Sequence, residues 1–129
     1  MYLVDTSVWI LHFSKNHPFD LREICAPDDR VLCPPVYQEI LQGIREDTVH
    51  RELQTILGAA EMVESPMPLS VWDEAADLYR AARRRGLTLR STVDCLIAAC
   101  ALRHDLIVLH HDRDYDHLAQ VSALRERRI

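Results

Sequence analysis

Eight consecutive residues, Cys95-Leu96-Ile97-Ala98-Ala99-Cys100-Ala101-Leu102, are apolar at every helical angle. A surface helix keeps one polar face in water, and this segment has none to offer, so the helix predicted over Val93 to Leu102 is buried on all sides. Asp94 is the single charge in that segment. A carboxylate carried into apolar surroundings needs a partner, so the elements that cover this helix also decide what Asp94 meets.

Short runs rich in Val, Ile or Leu mark strands at Tyr2 to Val4, Arg30 to Cys33 and Leu106 to Leu109, with a weaker one at Met62 to Val63. Helical periods fill the intervals. Val49, Leu53, Ile56 and Leu57 make one stripe, and Val71, Trp72, Ala75, Ala76, Tyr79 and Ala82 make another, each expected to be the inner face of an amphipathic outer helix. Pro34-Pro35 opens a helix, Ser70 and Ser91 are expected N-caps, and Gly86 after Arg83-Arg84-Arg85 is a helix stop. Strands without polar alternation, separated by helices, predict an α/β fold. The expected form is a single domain over residues 1–129, with a mostly parallel central sheet of four to five strands and helices on both faces, a three-layer α/β/α arrangement.

Composition removes several classes of function. A chain of 129 residues, 48% hydrophobic and with three glycines, can bury a core without metal or disulfide staples. It has neither a membrane-length apolar run nor the order of a signal peptide, and it reads as cytoplasmic. Cys25, Cys33, Cys95 and Cys100 lack C-x-x-C spacing and are expected as reduced core thiols. The net charge of −5 argues against a protein that grips duplex DNA over its whole surface, and leaves room for a local basic groove.

Four acids stand where strands end or helices begin. Asp5 follows the first strand, Glu39 lies about one turn into the helix after the second, Asp94 sits in the first turn of the buried helix, and Asp112 follows the last strand by two histidines. In a β-α-β chain, strand ends and the starts of the following helices share one edge of the sheet. Anions gathered there repel one another, and no Lys or Arg is near in sequence except Arg113. A divalent cation is the simplest compensation, and an all-carboxylate site favours Mg²⁺ or Mn²⁺ over zinc. Each acid also has an ordinary role open to it: Asp5 as a helix cap, Asp94 in a Ser91-x-x-Asp94 capping box, Glu39 on a solvent face, and Asp112, Asp114 and Asp116 as a solvated turn.

Asp5-Thr6-Ser7-Val8-Trp9, Pro35-Val36-Tyr37-Gln38-Glu39-Ile40-Leu41-Gln42-Gly43, Ser91-x-x-Asp94-x-x-Ile97-Ala98-Ala99 and His111-Asp112-Arg113-Asp114-Tyr115 resemble, in this order, the motifs of PIN-domain ribonucleases, above all VapC-type toxins of toxin–antitoxin modules. The resemblance spans essentially the whole chain. It implies a PIN fold, a metal-dependent endoribonuclease that hydrolyses RNA, and Asp5, Glu39, Asp94 and Asp112 as its four acids. Asp5, Asp94 and Asp112 would hold Mg²⁺ or Mn²⁺, Glu39 would ligate a second ion or orient water, and Asp114 would support them. Thr6 or Ser7 would supply a hydroxyl beside the first acid. Implied partners are the RNA, a small VapB-like antitoxin and a second copy of the chain in a homodimer. His110 departs from the family pattern, which often has threonine there.

Arg83, Arg84, Arg85 and Arg90 bracket the loop before Asp94 and are candidates for tracking an RNA backbone, with stabilisation of a helix C-terminus as the alternative for the first three. Trp9 and Trp72 are read as core residues, His110 and His111 as turn residues, and Arg125-Glu126-Arg127-Arg128 as a solvated tail. A phosphatase with Asp5 as nucleophile is disfavoured because Asp-Thr-Ser lacks a second acid two residues on. A PIN-like scaffold that only binds RNA or protein is the remaining alternative, and the presence of all four acids weighs against it.

Overall fold

The computed structural model describes residues 1–129. Strand β1 (Tyr2–Val4) leads into helix α1 (Thr6–Phe13), and two short 3₁₀ turns precede β2 (Arg30–Val31). Helices α2 (Pro34–Gln42), α3 (Asp47–Gly58), α4 (Leu69–Arg84) and α5 (Thr92–Arg103) follow, then β3 (Ile107–His110), α6 (Arg113–Gln120) and β4 (Arg125–Arg128). The strands form one sheet in the order β2-β1-β3-β4, with every pair parallel. Leu32 also bridges Met62 in parallel, so the weak strand signal at Met62 marks a single-residue extension of the sheet beside β2. No helix is long and apolar enough to cross a membrane.

The expected buried helix is α5, whose residues from Asp94 to Ala101 are all buried. It packs against α4, α2, α6 and β3, which is how a helix with no polar face is covered. Its start is the expected one: Ser91 is the N-cap and accepts from the Val93 N–H at 3.2 Å. Pro34 and Pro35 open α2 where missing N–H groups cost nothing. Helix α4 closes as expected at Gly86, with φ +72°. Gly86 N–H donates to Arg83 C=O and Leu87 N–H to Ala82 C=O, each at 3.0 Å, the two bonds of a Schellman ending.

Several expectations need correction. Helix α4 begins at Leu69 behind an extended Pro68, which places Ser70 inside the first turn rather than at the cap. The stripes are narrower than the periodicity suggests. In α3 only Leu57 is buried, and Ile56 is 64% exposed; in α4 the buried face is Val71, Ala75, Leu78 and Ala82, and Trp72 is 52% exposed. Trp9 is buried as expected. Finally, Arg125 to Arg128 is largely solvent-exposed, as expected, but is the fourth strand rather than a tail, paired residue by residue with Ile107 to His110. A charged edge strand carries no apolar alternation, and its charges protect an otherwise open edge from further pairing. All four cysteines are free and buried, as expected.

Candidate active site

Each acid reaches the site from a position that local structure makes rigid. Asp5 is the N-cap of α1: Oδ2 accepts the Ser7 N–H at 3.0 Å and is also bonded by the Ser7 hydroxyl. Its backbone N–H donates to Leu109 C=O at 2.9 Å, tying the ends of β1 and β3 together. Asp112 caps α6 in the same way, with Oδ1 accepting from the Asp114 N–H at 3.0 Å. Capping and function do not compete at these positions, because the cap bonds hold each carboxylate in one orientation and leave lone pairs free.

Asp94 and Asp114 differ from what their sequence context suggests. The capping box at Ser91 is completed by Asp114 from α6 rather than by Asp94. Oδ2 of Asp114 accepts the N–H groups of Arg90 at 2.9 Å and Ser91 at 3.0 Å, which clamps the start of α5 to the start of α6. Oδ1 of Asp114 and Oδ2 of Asp94 are buried with no hydrogen-bond partner. Carboxylate oxygens of Asp94, Asp112 and Asp114 lie within 4.8 Å of one another. Burial first, and then the neighbouring acids Asp114, Asp5 and Asp112, push the Asp94 carboxyl up to about 9.

Asp5 joins this group through Tyr115. The Tyr115 hydroxyl donates to Asp5 Oδ1 at 2.6 Å and lies 3.4 Å from Asp94 Oδ1, and its ring has no exposed surface. Burial, with the Asp5 and Asp94 charges, raises the phenol well above its usual range, so it stays a donor. Glu39 completes the arrangement from α2. Its Oε1 accepts from the Thr6 hydroxyl at 2.9 Å, and partial burial raises its carboxyl above the usual value, opposed by that bond and reinforced by Asp5. Thr6 and Ser7 therefore do not compete for one role: Ser7 serves Asp5, and Thr6 serves Glu39.

Of the basic residues, Arg90 stands at the rim, with its guanidinium 3.5 Å from Asp112 Oδ1 and both side chains solvent-accessible. Arg85 donates to Gln120 C=O at 2.6 Å, occupying it at the end of α6. Arg83 lies over the Tyr79 ring at 5.9 Å, and Arg84 is exposed. His111 is an exposed residue beyond β3, and its N–H donates to the Ser7 hydroxyl at 3.0 Å. His110 is not a turn residue: it ends β3 and is fully buried. The role of Tyr115 was not legible in sequence, although it stands three residues after Asp112 on the buried face of α6, next to Asp114, and carries a hydroxyl into an otherwise apolar packing position.

The donor set suits a hard cation. It is all oxygen, two buried oxygens lack partners, and the charge concentration is such that Asp94 resists ionising without compensation.

The PIN domain family model matches residues 2–121. The VapC ribonuclease Mb1587 of Mycobacterium bovis is 34% identical over 97% of this chain and 96% of its own length. The chain belongs to the PIN-domain family of VapC ribonucleases. Ribonuclease VapC51 of Mycobacterium tuberculosis is 33% identical, covering 94% of this chain and 87% of its own. The fold matches that of VapBC2 from Rickettsia felis, bound to a DNA fragment from its promoter, with a TM-score of 0.76 at 13% identity over 99% of this chain and 98% of that one. VapBC-1 from nontypeable Haemophilus influenzae gives 0.74 at 15% identity, covering 98% of this chain and 96% of that chain.

Proposed function

We propose that this PIN-domain protein is the endoribonuclease toxin of a toxin–antitoxin module, hydrolysing RNA phosphodiester bonds with Mg²⁺ or Mn²⁺. The observation that carries this is the group Asp94, Asp112 and Asp114, with carboxylate oxygens within 4.8 Å and two buried oxygens unpaired, joined to Asp5 by the Tyr115 hydroxyl. Likeness to VapC ribonucleases supports the reaction class, and likeness to VapBC complexes supports a small antitoxin as partner. A homodimer and a cytoplasmic location complete the proposal.

Asp5, Asp94 and Asp112 are the residues that would hold the cation, and Asp114 holds α5 in place beside them. When bound, a divalent ion lowers the pKa of water and stabilises charge on phosphoryl oxygens. Glu39, with Oε1 engaged by Thr6, keeps Oε2 available to orient the attacking water and take its proton. Tyr115 keeps Asp5 and Asp94 in register without itself ionising. Arg90 at the rim and exposed Arg84 are the basic residues that would meet backbone phosphates of the RNA.

The test is cleavage of single-stranded RNA by purified protein freed of any partner. Activity with Mg²⁺ or Mn²⁺ that is lost in chelator and lost in Asp94→Asn is the expected result. RNA binding without cleavage under every metal condition would establish the scaffold alternative instead.

A further inference from the structure

His110, Asp116 and Glu126 form a second cluster beside the first, with His110 Nε2, a carboxylate oxygen of Asp116 and one of Glu126 within 4.8 Å of one another. The hydrogen bonds of His110 argue against a metal there. Its Nδ1 accepts the Asp112 N–H at 3.2 Å, so the proton of the imidazole is on Nε2, which donates to Glu126 Oε2 at 2.7 Å. A histidine that ligates through Nε2 needs its Nδ1 proton pointed at an acceptor, and here Nδ1 faces a donor. The cluster is wired as a hydrogen-bond relay.

We infer that Glu126, on the C-terminal edge strand, is a positioning residue for the acidic site and acts through His110. This rests on the reading that Asp5, Asp94 and Asp112 hold the cation. The relay runs from Glu126 to the His110 ring and on to the Asp112 backbone. The ring also packs on Tyr115, with centroids 4.9 Å apart and planes tilted by 44°. One buried imidazole therefore supports Asp112 through its peptide, and Asp5 and Asp94 through the Tyr115 hydroxyl.

Strand register explains why Glu126 alone of the tail does this. Side chains alternate along β4. Glu126 and Arg128 face α6, where Arg128 meets Asp116 at 3.1 Å, whereas Arg125 pairs with Asp105 at 2.9 Å and Arg127 reaches the Tyr2 hydroxyl at 3.2 Å. His110 is fully buried, and without Glu126 its Nε2–H faces only Asp116 Oδ1 at 3.9 Å, beyond hydrogen-bond reach. The ring is then free to rotate or change tautomer, and the bond to Asp112 goes with it.

Two readouts test this. In ¹⁵N-histidine protein, a long-range ¹H–¹⁵N spectrum, assigned through His110→Asn, reports which nitrogen carries the proton. Mn²⁺ affinity is read by electron paramagnetic resonance of the free ion. Wild type is expected to show the Nε2–H form. Glu126→Ala is expected to mix tautomers and weaken Mn²⁺ binding by about tenfold; Glu126→Gln, whose amide oxygen still accepts from Nε2, keeps both near wild type. Arg125→Ala, which removes a β4 ion pair on the opposite face, is expected to leave Mn²⁺ affinity unchanged.

An Nδ1–H wild type overturns the inference, and that spectrum decides even if Glu126→Ala does not fold. Wild-type Mn²⁺ affinity in folded Glu126→Ala overturns it too, as does an equal loss in Arg125→Ala, which would make strand anchoring the whole effect. Failure of wild type to bind Mn²⁺ strikes the metal reading instead, and is separate from the tautomer result.

Discussion

Tyr115 Oη and Asp5 Oδ1 are 2.6 Å apart, a bond made between residues 110 positions apart in the chain and sealed from solvent. It joins the first strand's acid to the helix that follows the third strand, and it leaves Asp5 with both oxygens held, since Ser7 binds the other. Tyr115→Phe keeps the packing and removes only the donor. The expected loss is about 1–3 kcal/mol of stability, because a buried acceptor is left unpaired. Urea denaturation measures this, and RNA cleavage should fall alongside.

Asp94 gives a pH dependence with a definite sign. Its carboxyl is raised in the folded protein to about 9 from an ordinary value of 3.8. Between these values the unfolded chain ionises Asp94 and the folded protein does not, so the contribution of Asp94 to metal-free stability is fully present below about pH 4 and is lost as pH rises toward 9. Melting temperature of the metal-free protein should therefore fall across that window, and Asp94→Asn should flatten the fall while abolishing cleavage.

Metal removal and addition should act on the same group. A cation that binds only the folded state raises stability by mass action, and it removes the cost of ionising Asp94. Adding Mg²⁺ at pH 8 should raise the melting temperature of wild type by more than that of Asp94→Asn, and chelator should reverse the rise. Differential scanning fluorimetry with and without the ion is sufficient.

Asp114→Ala is expected to lower stability and, because its unpaired Oδ1 belongs to the acidic cluster, to weaken Mn²⁺ binding as well. It removes the acceptor of the part-buried N–H groups of Arg90 and Ser91, at a cost of about 1 kcal/mol for each bond lost. Asp5→Asn, by contrast, should fold and lose metal-dependent activity. Denaturation reads the clamp that only Asp114 provides, and Mn²⁺ binding reads the part each carboxylate has in holding the cation.

Among the basic residues, Arg84→Glu should weaken RNA binding and reduce its salt dependence at a stability cost of no more than about 1 kcal/mol from the helix dipole, because Arg84 is exposed in the last turn of α4. Arg85→Ala should lower stability by about 1 kcal/mol through loss of its bond to Gln120 C=O, with little effect on RNA affinity. Binding titrations at several salt concentrations distinguish them.

Much of this protein is written locally. The polarity of Cys95 to Leu102 requires a buried helix, and α5 is buried as that demands. Pro34-Pro35, Ser91 and Gly86 act through their own backbone geometry, and each marks the boundary expected of it. Ser70 and the stripe residues Ile56 and Trp72 show the limit, since periodicity shows which face is apolar and not how much of it finds a partner.

By itself, then, the sequence determined an α/β chain of parallel strands, a wholly buried helix carrying one acid, and acids at strand ends and helix starts. Only the tertiary structure decided how those acids are wired. Asp114 caps a helix that starts 22 residues before it, Tyr115 reaches Asp5 across the site, and Arg125 to Arg128 becomes a strand by pairing with β3. Periodicity and capping preferences are properties of neighbours along the chain. A hydrogen bond between distant residues, or an edge strand with no apolar residue of its own, leaves no such periodic trace.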